Sequence, residues 1–398
     1  MHKLSDYNFD LPESFIAQKP LDDRDASKLM ILDRKNPRKL LHKKVSDLTE
    51  ILDKNDVLVF NSSRVIPARI TGDFGEILLS KPIPLEKKIS PNPSLEKRGI
   101  CTWQCLTKPG RKFKVGKIID LPEGMKAEVV KVNQDGTRDI FFSRLLRRCT
   151  PRNDQPLSLR GNDSDRSSLA PLHEKNSSLR EESKAIQSLD ATNLFLSWLQ
   201  RNGEIPQPPY IKEKIKDSER YQTTFSKKGK SVAAPTAGLH FTPELIKKLD
   251  QKGIEIHKVH LDVGLGTFLP VKTDDIREHK MHSEFFELDE ETAKALNTAK
   301  KNGKRIIAVG TTSIRVLESC SDDTGILRPK YGETNIFIYP GYDFKFVDAI
   351  FTNFHTPSST LLMLISAFAG KENIFHAYSE AKKNNYRFFS LGDAMLIR

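Results

Sequence analysis

The chain has 398 residues, of which 37% are hydrophobic, and a formal net charge of +12 at pH 7. This composition supports two domains with real cores, and no apolar run approaches the roughly 18 residues of a membrane-spanning helix, which argues against an integral membrane protein. The N-terminal stretch lacks the apolar segment of a signal peptide and the four cysteines match no zinc spacing, so we expect a cytoplasmic protein with reduced thiols.

The first predicted elements are a buried strand and a group of short β-rich runs. DVLVF, over Asp56–Phe60, leads into NSSRVIPAR, and from about Ile70 the chain turns repeatedly at Lys-Pro-Gly, Pro-Glu-Gly and Asp-Gly. Asp135-Gly136 lies between two β-rich runs, which is a good hairpin signal. We predict that residues 1–66 begin a large domain and that residues 67–148 form a small β-barrel inserted into it.

Two stretches do not look like folded core. Lys81–Gly99 is rich in Lys and Pro, and Cys149–Ala191 has no Phe, Tyr, Trp or Val. The second stretch buries too little apolar surface to offset the entropy of ordering it. We interpret both as insertions, with residues 149–192 as a disordered one.

Residues 193–398 read as alternating strands and helices. The predicted elements are a helix from Thr242 to Gly253, strands over Ile254–Asp262 and Lys304–Gly310, and helices from about Thr312 to Ser319 and from Thr356 to Gly370. Such alternation indicates a layered arrangement. The predicted fold class is α/β: a large layered α/β domain with an inserted small antiparallel β-barrel domain.

Three turns have the residue types of ligand-binding loops. GTTS follows a buried strand and opens a helix that carries Arg315, so its free N–H groups suit a carboxylate or phosphate. SVAAPTAGLHF lets the backbone approach a ligand and offers His240, while NFHTPSST places His355 before a helix start. A capped turn, a packed histidine and a simple capping sequence are the ordinary alternatives.

Three further segments are more ambiguous. HLDVGLGTF resembles a methyltransferase cofactor loop, but Phe268 replaces its third glycine and Pro270 prevents a helix from starting there. HKMHSE lacks a metal-ligand spacing, so we interpret it as polar residues lining a cleft and predict no metal site. NSSRVIPAR places Arg64 and Arg69 at a domain junction, where ligand sites are common, or simply in solvent.

As a set, these segments resemble the S-adenosylmethionine:tRNA ribosyltransferase-isomerase family. They occur in order over nearly the whole chain, and AAPTAGLHFT with NFHTPSSTL is the most specific combination. The matching segments are LPESFIAQKPLDDRDASKLMILDR, NDVLVFNSSRVIPAR, RYQTTF, SVAAPTAGLHFT, HLDVGLGTFLPV, HKMHSE, RIIAVGTTSIRVLES, TNIFIYPGYDFKFVDAIFTNFHTPSSTLLMLISAFAG and YRFFSLGDAMLI. Gln207 replaces an apolar residue expected there, and the two insertions look like additions that could alter tRNA docking.

The resemblance implies an enzyme of queuosine biosynthesis with the same two-domain fold. It implies transfer and isomerisation of the ribosyl moiety of S-adenosyl-L-methionine, a co-substrate, onto 7-aminomethyl-7-deazaguanine at the tRNA wobble position. The products are epoxyqueuosine-tRNA, adenine and L-methionine. The implied partners are tRNAs with a GUN anticodon (Asp, Asn, His, Tyr), with no prosthetic group, no membrane and a monomeric protein.

Candidate roles follow from the chemistry, which needs a base, a carboxylate site and phosphate contacts. The catalytic candidates are His240, His355 and Glu284. The substrate-binding candidates are Arg64, Ala234, Pro235, Thr236, Gly238, Asp262, Gly264, Gly266, His282, Gly310, Thr311, Thr312, Ser313, Arg315, Thr356 and Ser359. The tRNA-binding candidates are Arg69, Lys108, Arg111 and Lys112. An S-adenosylmethionine-dependent RNA methyltransferase and a non-catalytic RNA-binding protein remain the alternatives.

Overall fold

The structure is a computed structural model, and it forms two compact units. It describes residues 2–83, 101–144, 192–208, 210–213, 217–264, 266 and 271–398. One unit comprises Met1–Ile66 and Ile205–Arg398, and the other comprises Pro67–Glu204. Most of the two predicted insertions, including Cys149, lies outside the described residues, as do Phe268 and Pro270.

The first unit is built on a nine-stranded mixed sheet. Its strands, numbered in chain order, are β1 (Lys28–Leu32), β2 (Leu41–Lys44), β3 (Asp56–Asn61), β12 (Glu255–Leu261), β13 (Glu284–Leu288), β14 (Arg305–Val309), β15 (Lys330–Thr334), β16 (Ala349–Asn353) and β17 (Ala394–Ile397). They are ordered β15-β13-β12-β3-β14-β16-β17-β1-β2. The central strands β12, β3, β14 and β16 are parallel. A separate pair joins β4 (Ser63–Val65) to β11 (Lys228–Ser231).

Strand β3 explains why this sheet is covered on both faces. All six of its residues are buried. Because successive side chains of a strand point to opposite faces, Val57 and Val59 join one core cluster while Leu58 and Phe60 join another. Central parallel strands of this kind require helices on both sides. The unit is therefore a layered α/β structure, as the sequence predicted.

The helices of the first unit supply those layers. They are α1 (Leu48–Ile51), α3 (Pro243–Gln251), α4 (Glu290–Lys301), α5 (Thr311–Cys320), α6 (Thr360–Ala369) and α7 (Lys371–Lys383). Helix α3 begins as predicted, since the Thr242 hydroxyl accepts from the Leu245 N–H at 3.1 Å. In the described parts of the chain, no helix combines the length and the apolar character that a membrane crossing demands.

The predicted start of α6 at Thr356 is wrong. Ser358 has a positive φ of 54°, so the backbone turns there and the helix begins at Thr360. Ser359 is the N-cap, and its hydroxyl accepts from the Leu362 N–H at 3.2 Å. The segment between β16 and α6 is consequently a loop, which leaves its side chains free to line a cavity.

The second unit contains the predicted small antiparallel β domain as a six-stranded half-barrel sheet. Its strands are β5 (Arg69–Gly72), β6 (Gly75–Ile83), β7 (Cys101–Lys108), β8 (Ile118–Asp120), β9 (Met125–Val132) and β10 (Arg138–Arg144), ordered β5-β6-β7-β10-β9-β8. Asp135-Gly136 forms the predicted hairpin between β9 and β10. Residues 81–83 of the first predicted insertion belong to β6, where Lys81 pairs with Gln104.

Helix α2, over residues 192–202, also belongs to the second unit. The Phe195 ring lies 4.4 Å from that of Phe142, and the Trp198 indole N–H donates to the Pro122 carbonyl at 3.0 Å. Residues 193–204 were predicted to belong to the large domain. The helix lies here instead because its aromatic face is buried against this sheet.

Candidate active site

A cavity of about 330 Å³ lies in the first unit, beyond the carboxyl ends of β12, β14 and β16. In sheets with parallel strands this is the usual place for a ligand. Three predicted segments supply most of its wall. They contribute Ala233–Ala237, Gly310–Thr312 and Thr352–Ser359. The cavity thus brings together Ala234, Pro235, Thr236, Gly310, Thr311, Thr312, His355, Thr356 and Ser359 from the candidate list.

The Gly310 turn presents a helix start to this cavity. Gly310 has φ 85° and ψ 153° and is the N-cap of α5, so no side chain caps this helix. The first N–H groups of an α-helix have no partner within the helix. Thr311 and Thr312, the first two residues of α5, both line the cavity. Ser313 does not line the cavity, because its hydroxyl donates to the Val309 carbonyl at 2.9 Å.

His240 lies behind the cavity wall. Its Nε2 is 3.0 Å from the Asn353 amide nitrogen, and the Thr236 hydroxyl lies 3.1 Å from the Asn353 amide oxygen. Burial lowers the pKa of His240 to about 4, so the imidazole is neutral at pH 7. Asn353 lines the cavity, and His240, predicted as a catalytic residue, contacts that amide from behind the wall. Gly238 also lies outside the wall, against Thr223.

His355 is the histidine that lines the cavity. Its Nε2 is 2.9 Å from the Thr352 hydroxyl, and its backbone N–H donates to the Tyr378 phenol at 2.7 Å. Burial lowers its pKa to about 3. The neutral imidazole is therefore held in place as a hydrogen-bonding group on the wall.

These two histidines predict a pH-dependent stability. Their pKa values of about 4 and about 3 lie below the ordinary value. The unfolded chain therefore binds protons first, and the free energy of unfolding should fall as the pH drops from about 6.5 to 4, by about 1.4 kcal/mol per unit for each group. Urea unfolding at several pH values measures this dependence. The free energy of unfolding should change less steeply with pH for His355→Gln than for wild type. The control His2→Gln, at an exposed histidine, should show the pH dependence of wild type. The same pH dependence in wild type and both variants would contradict the lowered pKa of His355.

Four residues of the wall come from segments in which no candidate residue was predicted. They are Tyr210, Tyr221, Phe389 and Ser390. The Tyr210 phenol and the Ser390 hydroxyl are 2.5 Å apart, and burial raises the pKa of Tyr210 to about 12. Burial also raises the pKa of Tyr221. RYQTTF and YRFFSLGD were matched to the family as segments, but no local pattern indicated that their side chains face a ligand.

A smaller cavity of about 40 Å³ adjoins the first. It shares Thr311, Thr312 and Leu361 with it and is also lined by Gly266, His279, His282, Glu284 and Arg315. Arg315 Nη1 donates to Glu284 Oε2, and Glu284 Oε1 accepts from the Gly264 N–H at 2.7 Å. Glu284, predicted as a catalytic residue, is buried, lines this smaller cavity and pairs with Arg315. Among the described residues, no group of three or more His, Cys, Asp or Glu could hold a metal ion.

The substrate-binding candidates Arg64 and Asp262 also lie outside both cavities. Arg64 forms an ion pair with Glu219. Asp262 accepts from the Lys230 N–H at 2.8 Å and lies 3.1 Å from His260 Nε2. Both side chains are engaged by these partners, and their substrate-binding role stays a prediction.

The model of the family described as "Queuosine biosynthesis protein" matches residues 4–397. The chain belongs to the queuosine biosynthesis protein family.

Full-length relatives support this assignment. Proteins from Clostridium kluyveri and Acetivibrio thermocellus are each 43% identical over 397 residues. The Clostridium kluyveri alignment covers all of both chains. A protein from Caldanaerobacter subterraneus is 44% identical over 402 residues and 99% of both chains. All three are named S-adenosylmethionine:tRNA ribosyltransferase-isomerase. A crystal structure of S-adenosylmethionine tRNA ribosyltransferase from Thermotoga maritima is 33% identical, covers 99% of this chain and 100% of its own, and has a TM-score of 0.48.

The second unit of this queuosine biosynthesis family member carries the candidate phosphate contacts. Lys108, Arg111 and Lys112 are exposed. Lys112 Nζ also donates to the Asp73 carbonyl at 3.1 Å. Arg69 forms an ion pair with Glu76 at 2.8 Å, so its charge is partly neutralised. The exposed trio is therefore better suited to an anionic partner than Arg69.

Proposed function

We propose that the chain transfers and isomerises the ribosyl moiety of S-adenosyl-L-methionine onto 7-aminomethyl-7-deazaguanine in tRNA. The reaction gives epoxyqueuosine-tRNA and releases adenine and L-methionine. The observation that carries the proposal is the convergence of Ala234, Gly310 and His355 on one cavity, in a chain of this family. Neither alternative accounts for the family, and a non-catalytic RNA-binding protein does not account for this cavity.

The wall suits a nucleoside donor. It combines apolar surface with threonine hydroxyls, the Asn353 amide and phenols, which match an adenine ring and ribose hydroxyls. The sulfonium of the donor acidifies the neighbouring carbon, so a base starts the elimination of adenine. The low pKa of His355 makes it a weak base, so we assign it to hydrogen bonding with the ribosyl group, next to Thr352. His240 positions Asn353.

Incubation with S-adenosyl-L-methionine and precursor tRNA tests the proposal. Release of adenine with ribosylated tRNA is expected. Methylated tRNA would favour a methyltransferase, and tRNA binding without any product would favour a binding protein. Precursor tRNA that lacks the aminomethyl group is the control, since it has no amine to attack the ribosyl group.

We further propose specificity for tRNAs with a GUN anticodon and action as a monomer in the cytoplasm. A cognate transcript carrying the aminomethyl base should be modified, whereas the same transcript with a changed second anticodon base should not. Equal turnover of both would contradict the anticodon preference. Sedimentation of the free protein as a dimer would contradict the monomeric state.

Binding of tRNA should be sensitive to salt and to the exposed cations of the second unit. Replacing Arg111 and Lys112 by Glu should weaken tRNA binding and reduce the slope of log affinity against log salt concentration. Binding releases fewer counterions from the tRNA when fewer of its phosphates are neutralised by cationic side chains. The double variant Lys247→Glu/Lys248→Glu, which changes two exposed residues of α3, is the charge-matched control. Filter binding at several salt concentrations measures both. Equal losses from both changes would indicate a general charge effect and not a docking surface.

A further inference from the structure

The small cavity contains a cation and an anion that are both buried. Arg315 is 6% exposed and Glu284 is 5% exposed. They come from α5 and β13 and contact each other directly. Apolar groups complete the wall, among them Phe337 and Leu364. A ligand of one sign would meet one favourable and one repulsive group here, whereas a zwitterion would match both.

Both charged groups retain hydrogen-bonding capacity. Arg315 Nη2 lies 3.4 Å from the Thr334 carbonyl, and Arg315 Nε is buried without a partner among the described residues. Oε2 of Glu284 accepts from Arg315 and Oε1 accepts from the Gly264 N–H, and each oxygen has a second lone pair. Buried donors are nearly always satisfied, so an orphaned guanidinium nitrogen needs an explanation.

A second orphaned atom lies where the two cavities meet. Thr312 lines both cavities, and its hydroxyl is buried with no partner in the described part of the chain. The free N–H groups at the start of α5 are adjacent to it. The Arg315 guanidinium, the Thr312 hydroxyl and the start of α5 at Thr311 therefore all belong to the wall of the small cavity. Together they are suited to a carboxylate.

The volumes of the two cavities indicate which end of an extended ligand each cavity would hold. At about 10–15 Å³ for each water, the 40 Å³ cavity has room for about three waters, which is the size of an amino-acid head group. The larger cavity, at about 330 Å³, has room for a nucleoside. We propose that the small cavity binds the amino-acid head of the donor, with the carboxylate on Arg315 and the ammonium on Glu284. This rests on the proposed function, and it predicts that adenine and L-methionine occupy different cavities.

The wild-type protein provides the first experiment. Adenine and L-methionine are tested together as inhibitors of ribosyl transfer, and they should bind simultaneously. L-Methioninamide, which lacks the carboxylate, should inhibit roughly tenfold to a hundredfold more weakly than L-methionine, because it loses a charged hydrogen bond. Mutually exclusive inhibition by adenine and L-methionine, or equal inhibition by the acid and the amide, would overturn the proposal.

A second experiment assigns the carboxylate to Arg315. Decarboxylated S-adenosylmethionine retains the sulfonium and the ribose but lacks the carboxylate. Wild type should have a much higher KM for it than for S-adenosyl-L-methionine, with a smaller effect on kcat. The double variant Glu284→Gln/Arg315→Met, which removes the charges of both partners, should show similar KM values for both donors. Discrimination that survives in this variant would overturn the assignment.

The matched control is Arg277→Met. Arg277 is an exposed arginine paired with Asp275, and it should keep full discrimination between the two donors. Direct calorimetric titration of L-methionine into wild type and the double variant separates this proposal from the proposed function. If wild type releases no adenine yet binds L-methionine, the reaction assignment fails and the head-group site stands. If it releases adenine without any preference for the carboxylate, the head-group site fails alone.

Discussion

Replacing Gly310 by alanine is expected to lower adenine release by roughly tenfold to a hundredfold. Gly310 has φ 85° and ψ 153°, a backbone region that is almost restricted to glycine and costs other residues about 1–3 kcal/mol. A Cβ at this position has room, with Ala237 at 3.5 Å, so backbone strain and not a clash is the cause. Relief of that strain would move the start of α5, which carries Thr311 and Thr312, and small displacements of a binding group cost about a hundredfold in rate.

Gly370→Ala is the matched control for Gly310→Ala. Gly370 also has φ 85°, it is also the N-cap of a helix, and it lies outside both cavity walls. Urea unfolding should show a similar loss of stability for the two variants, whereas adenine release should fall only for Gly310→Ala. Normal turnover of Gly310→Ala, or an equal loss in Gly370→Ala, would contradict the assigned role of the turn.

Removing Glu284 alone is expected to cost about 3–5 kcal/mol of unfolding free energy. Glu284→Ala leaves the Arg315 guanidinium buried without its counter-charge, and it also removes the acceptor of the Gly264 N–H. Breaking one side of a buried ion pair is costly for this reason, whereas replacing both charges by apolar groups is often nearly neutral. The double variant Glu284→Ala/Arg315→Met should therefore recover more than half of the loss.

An exposed ion pair provides the comparison for Glu284. Glu380 pairs with Lys383 on α7, where solvent screens the interaction, so Glu380→Ala should cause no measurable change. Urea unfolding at one pH compares wild type, Glu284→Ala, the double variant and Glu380→Ala. If Glu284→Ala lowered the free energy of unfolding no more than Glu380→Ala does, Arg315 would have found another partner. The Glu284–Arg315 pair would then not be what holds α5 to β13.

Local patterns in the sequence predicted the central fold well. DVLVF is fully buried as β3, and Thr242 and Asp135-Gly136 form the expected cap and turn. These features depend on residues close together in the chain. The start of α6 was predicted too early, because Thr356-Pro357 is also a good capping sequence and nothing local indicates the positive φ of Ser358.

The site was predicted less completely than the fold. The three turns do meet at one cavity, because the carboxyl ends of neighbouring parallel strands lie together. The sequence could not indicate that Asn353 lies between His240 and the cavity, since the two residues are 113 positions apart. The Glu284–Arg315 pair likewise joins a strand to a helix 31 residues later. Pairings of this kind depend on side-chain direction in the folded sheet.

Strand β17 has a consequence for how the chain is assembled. It lies between β16 and β1, and the Lys28 N–H beside it donates to an Asp393 carboxylate 365 residues away. Strands β1 and β2 are linked to the other strands of the sheet only through β17 among the described pairings. The edge of β1 that faces β17 therefore remains unpaired until nearly 400 residues have been synthesised. Such long-range closure is slow, so nascent chains should depend on protection from aggregation until β17 inserts.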